Sequence, residues 1–422
     1  MFKRFIGAAV LSTALFTASA MAKETVVWWD FLGGGDGVRM KQMIADFNKE
    51  MDGKVEIQAS TLDWGVPFYT KVQTSSAVGE APDVMTYHAS RIPLAVKQGI
   101  LQEITADDFK AMGLGEADFA KATWDAVTSD GKQYAVPLDT HPIVLYYNKD
   151  ILAKAGLLGA DGKPTGLNGA ENFKAALTKA KEAGAKFGIA GVTADGNFMF
   201  RTIYSMMCQQ GGELMTDGEF LAGDNPAKMQ NALAMIADWT KSGLQSSYTD
   251  YPATVALFTS GSAAFMINGV WEVPTMTDMH KSGKLFEWGA MELPVFFEKP
   301  CTYADSHSFA IPANKGKEMT AEKRAAVLSV ISWIDKHSLF WATAGHIPAY
   351  APVTQSDEYK KMEPNATYSP LTANMIFDPK SPLAGIAGPI FDVMSTYFVP
   401  TQNGEMDPGE AVTKIKDELN NL

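Results

Sequence analysis

Four histidines, His88, His141, His307 and His346, fall at a strand end or at a point where the chain pattern changes direction, whereas His280 and His337 lie on predicted helices. Imidazole nitrogens ligate Zn, Ni or Cu, and they also hydrogen-bond hydroxyls. Metal sites usually show short-spaced ligand pairs; the chain has none, so the four read as polar groups lining a cleft, with a metal or metal-chelate site as the alternative. Asp30, Asp63 and Asp139 suit bidentate hydrogen bonds to vicinal diols, each contributing about 1.5–3 kcal/mol when charge-assisted. The same carboxylates could form the acid–base pair of a secreted glycosidase. Arg91 and Arg201 are the cationic candidates for an anionic ligand, a structural ion pair being the default for each. Aromatic side chains expected in loops are Trp29, Phe31, Trp64, Tyr87, Phe198 and Phe200. There is no His-Glu-x-x-His, Cys-x-x-Cys, Gly-x-Ser-x-Gly or Walker sequence. Gly33-Gly34-Gly35-Asp36-Gly37 follows a strand and precedes a helix, a place that can cradle phosphate, but it lacks dinucleotide-binding spacing. No cofactor, no bound metal and no catalysis are expected.

Elements that would position these groups follow from hydrophobic periodicity. Thr25–Trp29 reads as a buried strand ending at Asp30, and Met40, Met43, Ile44 and Phe47 mark a helix. Val55–Ala59 alternates as a second strand, residues 66–78 read as a helix, and Asp83–Tyr87 is a third strand. Strand–helix–strand of this length implies a parallel sheet with right-handed crossovers. Loops 30–35, 62–65 and 87–91 then converge on one edge, bringing Asp30, Asp63, Trp64, Tyr87 and His88 together. Residues 134–141 and 143–150 read as two extended segments separated by a polar break, with His141 beside it. Asn225-Pro226 is the expected N-cap and first-turn proline of a helix carrying Met229, Leu233 and Ile236. Strands are expected within 286–294 and 308–312, a helix around Val327–Ile334, a further crossing at 345–348, and a closing helix from Asp407-Pro408.

Phe258–Trp271 reads Phe-Thr-Ser-Gly-Ser-Ala-Ala-Phe-Met-Ile-Asn-Gly-Val-Trp. A short apolar strand runs into Asn268-Gly269, two residues that tolerate positive φ and are expected to turn the chain. Trp271 then stands at the strand's carboxyl end, where open α/β sheets hold ligands. Its indole offers a flat apolar face to a sugar ring and an N–H to a hydroxyl. This run resembles the Phe-x-x-Gly-x-x-Ala…Ile-Asn-Gly-x-Trp signature of the maltose-binding-protein-like family of solute receptors for ABC importers; Pro82-Asp83 and Tyr147–Asp150 add to the likeness. The resemblance implies an α/β fold of two lobes joined by three hinge crossings around a ligand cleft. It implies a receptor that captures a carbohydrate (sugar, oligosaccharide, glycoside or polyol) and delivers it to a membrane permease. The expected lobes are 23–139 plus 306–346, and 140–305 plus 347–422. The second would contribute Phe198, Gly269 and Trp271, with His141, His307 and His346 near the hinge. Most loop residues depart from maltose-binding protein, so maltose itself is not implied.

The rest of the chain agrees with export. Lys3 and Arg4 precede an apolar stretch, Phe5–Phe16, and Ala20-Met21-Ala22 offers a cleavage site, so residues 1–22 read as a signal peptide. No Cys lies near that site to take a lipid, and a soluble, monomeric protein in the periplasm of a Gram-negative bacterium is expected. With 46% apolar and 20% charged residues the composition is globular. A net charge of −12 argues against nucleic acid or anionic lipid as partner. Cys208 and Cys301 could pair in an oxidising space; two buried thiols are the simpler expectation.

Overall fold

The computed structural model describes residues 23–422. Two mixed sheets organise it. In the first, Val55–Thr61, Glu24–Asp30 and Val84–His88 lie parallel, with Trp28 facing Ala59 on one side and Val84 on the other. His307–Ala310 then joins antiparallel, opposing His307 to His88, and Ala135–Pro137 closes the edge. Helices Gly35–Glu50 and Val66–Ala77 supply the crossovers, burying Met40, Met43, Ile44 and Phe47 from one and Phe68 and Val72 from the other. Spacings of three and four residues put each set on one helix face.

The second sheet is built on one long strand, Asp139–Asn148, buried along its whole length. Ala263–Gly269, Thr302–Asp305, Trp288–Met291 and Ile347–Pro348 all pair with it antiparallel. The expected polar break is absent. Thr140, His141 and Pro142 are paired residues of that strand, and the interruption falls four residues earlier than expected, at Leu138. There the Leu138 amide donates to the His307 carbonyl and its own carbonyl accepts from the Ala349 amide. Three stretches passing between the sheets thus form one hydrogen-bonded ribbon. Gly345, just before the third, has φ +86°, and a Cβ there would strike the Val270 carbonyl.

Helix Asn225–Lys241 is preceded by Asp224 at the N-cap position, not Asn225. The Asn225 side chain instead accepts from the Glu213 amide, which fixes the loop before the helix. Cys208 and Cys301 are bonded, with Cα atoms 5.8 Å apart, correcting the expectation of two thiols. The bond pins helix Gly196–Gln209 to the start of Thr302–Asp305. The helix that closes the chain, Pro408–Leu419, has Asp407 as its cap, accepting from the Gly409 and Glu410 amides.

Candidate functional site

A cavity of about 540 Å³ opens between the sheets, within the range of about 300–1,000 Å³ usual for small-molecule sites. Phe31, Gly33–Asp36, Asp63, Trp64, His88 and His307 line it from the first-sheet side. Asp195, Phe198, Arg201, Tyr251, Trp271 and Glu272 line it from the other, with His141 on its floor.

Trp271 sits in a short turn directly after Ala263–Gly269. The turn is not made by positive φ: Gly269 has φ −80° and ends the strand in extended geometry. Its glycine is needed for another reason, because a Cβ at 269 would overlap the six-membered ring of Trp271. Gly269 is therefore the bed on which the indole lies, not a cavity-lining group. The Trp271 Nε1–H donates to the Tyr251 hydroxyl at 2.7 Å, and that hydroxyl donates to Glu272 Oε1 at 2.5 Å. The indole N–H is thus committed within the protein, and the ring presents its face alone. Burial pushes the Glu272 carboxyl up, against the hydrogen bond from Tyr251 that lowers it.

Trp64 reaches the cavity from the opposite lobe, on the loop between Val55–Thr61 and Val66–Ala77, and is 44% exposed. The Arg201 guanidinium lies 5.7 Å from the ring centres of both Trp64 and Trp271, and 5.9 Å from that of Phe198.

Beneath the cavity the three crossings bring three imidazoles around one carboxylate, with a fourth, His88, beside them. His141 Nδ1 and His307 Nδ1 lie 3.1 and 2.9 Å from Asp139 Oδ1 and Oδ2. The His307 amide donates to Oδ1 at 3.0 Å and Trp341 Nε1 to Oδ2 at 2.8 Å. His346, fully buried, stacks on Trp341 with 4.7 Å between centroids. It comes within 3.3 Å of Asp139 Oδ2 and 3.9 Å of Asp36 Oδ2, yet neither nitrogen is aligned for a hydrogen bond. His88 completes the group, its Nδ1 2.5 Å from the Tyr69 hydroxyl and its ring stacked on Phe31. Burial pushes the Asp139 carboxyl up, but His307 and His346 outweigh it and hold the carboxyl well below the usual range. Burial lowers His307, but the Asp139 charge outweighs it and holds the imidazole above its ordinary value. Burial and the His307 charge push His141 down to about 3 and hold His88 well below the ordinary value, leaving both neutral.

Asp139, His141, His307 and His346 offer ligand atoms all within 4.8 Å of one another. In donor type the set suits a transition metal. Both Asp139 oxygens are already occupied by four N–H donors, which fills the capacity of a carboxylate. The arrangement works as a charge-balanced brace: with Nδ1 of His141 turned to Asp139, its Nε2 lone pair is left as an acceptor.

The structure therefore brings Asp63, Trp64, His88, His141, Phe198, Trp271 and His307 to one cavity, and leaves four of the expected residues behind it. Asp30 is buried and accepts from the Leu32 amide at 3.0 Å, shaping the loop that presents Phe31. Tyr87 is buried against Phe68 and Tyr69. Gly269 and His346 support Trp271 and Asp139. Tyr251, Glu272, Asp36 and Asp195 were not anticipated. Glu272 adjoins Trp271 in sequence and Tyr251 opens a helix after the capping Asp250, signals that were available.

The fold recurs in solved proteins. The GacH receptor of Streptomyces glaucescens, determined unliganded and with acarbose, superposes with a TM-score of 0.78 at 18% identity, over 95% of this chain and 98% of that one. MalE3 of T. maritima, determined with maltose bound, gives 0.78 at 20% identity over 94% and 99%. In sequence, the galactooligosaccharide-binding protein of Bacillus subtilis (strain 168) is 26% identical over 284 residues, 62% of this chain and 58% of that protein. The match thus spans less than two thirds of that relative's length. Residues 42–367 match as a unit the sequence pattern of bacterial extracellular solute-binding proteins, and with two lobes about a lined cleft, the chain belongs to that family.

Proposed function

We propose that the protein is the substrate-binding receptor of an ABC importer, closing its lobes on a carbohydrate and presenting it to a membrane permease. The observation that carries this reading is the pair of indoles, Trp64 and Trp271, facing one cavity from opposite lobes. Apolar ring faces suit the C–H faces of sugars, and Asp63 and the neutral His141 supply groups for hydroxyls. Relatives named for galactooligosaccharide and maltodextrin binding support the carbohydrate class. Ligand contacts made from both lobes favour the closed state, and only such differential affinity shifts the population. The lobes are 23–139 plus 306–346 and 140–305 plus 347–422, acting as a monomer in the periplasm after loss of residues 1–22, which lie outside the described residues. Asp63, Trp64, His88, His141, Phe198, Trp271 and His307 are the contact residues.

A thermal-shift screen of sugars, polyols and sugar acids tests the reading, since a ligand at a hundred times its Kd adds about 2.7 kcal/mol. Trp271→Ala should weaken the ligand so found by about 2–4 kcal/mol, as for a buried aromatic anchor. A screen in which metal salts stabilise the protein and no carbohydrate does would replace the reading with a metal receptor.

A further inference from the structure

Among the described residues, Arg201 is the one arginine or lysine lining the cavity. It is 7% exposed, and no carboxylate among the described residues forms an ion pair with it. Its side chain makes no hydrogen bond there, while Trp64, Trp271, Phe198 and Phe391 surround it at 5.7–5.9 Å. Aromatic rings stabilise a guanidinium but satisfy none of its five N–H donors. Its N–H donors are left to the cavity it lines, so the fifth wall of this cage is expected to come from the ligand.

Of the acidic residues lining the cavity, Asp63 is exposed and pairs with no cation among the described residues, and the other three have duties of their own. Glu272 accepts from Tyr251, and Asp195 caps helix Gly196–Gln209 through the Asn197 amide at 2.9 Å. Asp36 accepts from the Gly34 and Gly37 amides at 3.1 and 2.7 Å. Those last two also close the helix amino termini that face the cavity, the places where a phosphate would be seated. One planar cation without a helix terminus or a lysine beside it matches a singly charged, planar anion, which it can grip through two parallel N–H···O bonds.

Resting on the carbohydrate reading above, we propose that the ligand is an acidic sugar, a uronate, whose carboxylate is held by Arg201 while Trp64 and Trp271 cover its ring. Calorimetry with matched pairs tests this: galacturonate against galactose, glucuronate against glucose, and the corresponding di- and trisaccharides. At least one acid should bind about 10- to 100-fold tighter than its neutral partner, the worth of a charge-assisted pair. Arg201→Gln should lower the acid's affinity about 10- to 100-fold and remove that preference, while the far-ultraviolet circular dichroism stays that of the parent. Arg201→Lys, which keeps the charge without the fork, should recover only part of it. Neutral sugars that bind as tightly as their acids would overturn the uronate assignment and leave the carbohydrate reading standing. Tighter binding of galactose 1-phosphate or glucose 1-phosphate than of any uronate would do the same. No binding by any sugar, acidic or neutral, would sink both.

Discussion

Asp139 has the most consequential surroundings of any single residue. It is fully buried, and its neighbours come from residues 141, 307, 341 and 346, so its charge holds three separated stretches of chain together. Asp139→Asn keeps the shape and removes the charge, leaving His141, His307 and Trp341 to face a neutral amide. Loss of one member of a buried pair costs about 3–5 kcal/mol, and urea unfolding should show a loss of that size. The pH response of His141 follows from its lowered pKa of about 3. A histidine neutral when folded but protonated when unfolded costs stability below the unfolded value of about 6.5, and nothing above it. Between pH 6 and pH 4 the parent should therefore lose about 1.4 kcal/mol per pH unit more than His141→Asn. Parallel curves for the two proteins would mean that His141 is already charged in the fold. Sequence reading placed His141 and His307 near a crossing from their neighbours. It missed the brace because the partners lie up to 207 residues from Asp139 and their convergence depends on the register of three strands.

Elements were legible where one face is buried. The spacing of Met40, Met43, Ile44 and Phe47 marks Gly35–Glu50, and alternation marks Val55–Thr61. Legibility failed where a residue's role depends on another element. Asn225 looks like a cap by type, yet its amide oxygen serves Glu213. The Asn268-Gly269 pair looks like a turn, yet both belong to a strand whose glycine makes room for an indole. Helix Gly196–Gln209 carries Phe198 and Arg201 to the cavity and is tied at its far end by Cys208–Cys301. With the cysteines 93 positions apart in sequence, the bond removes a large loop entropy from the unfolded chain. Replacing both by Ser should cost about 2–5 kcal/mol. Denaturant midpoints should fall accordingly, and unchanged midpoints in oxidising and reducing buffer would show that the bond does not form.

On the scale of the molecule, the ribbon at Leu138 joins the lobes through hydrogen-bonded strands, and other contacts bridge them. Arg39 on Gly35–Glu50 makes a bidentate pair with Asp278 on Val273–Lys281, both bonds 2.7 Å. The stretch around residue 385 leans on the first lobe, where the Ile386 amide meets Ser90 Oγ and Lys380 Nζ reaches the Asp125 carbonyl. With Arg201 of one lobe 5.7 Å from Trp64 of the other, the lobes stand close together. Small-angle scattering should give a larger radius of gyration without ligand than with it. Equal radii in samples where calorimetry confirms binding would indicate a rigid pocket. The two-lobed plan could be read from strand–helix alternation and the Phe258–Trp271 run, because both are local in sequence. The cavity's occupant could not, since Arg201 is unpaired only by virtue of where every carboxylate ends up.

The glycine under Trp271 has a further consequence, for how such a cleft can change over generations. A side chain at 269 and a ring at 271 exclude each other in space, so the effect of altering one position depends on the state of the other. Residue 269 is confined to glycine while the indole is present; once the ring is lost, the position is released, and a larger residue can then settle there and block the indole's return. The order of changes is therefore fixed: the indole goes before the glycine, and the glycine must return before the indole. A lineage that exchanges Trp271 for a smaller residue and then fills position 269 has crossed a ratchet, since restoring the indole alone no longer fits.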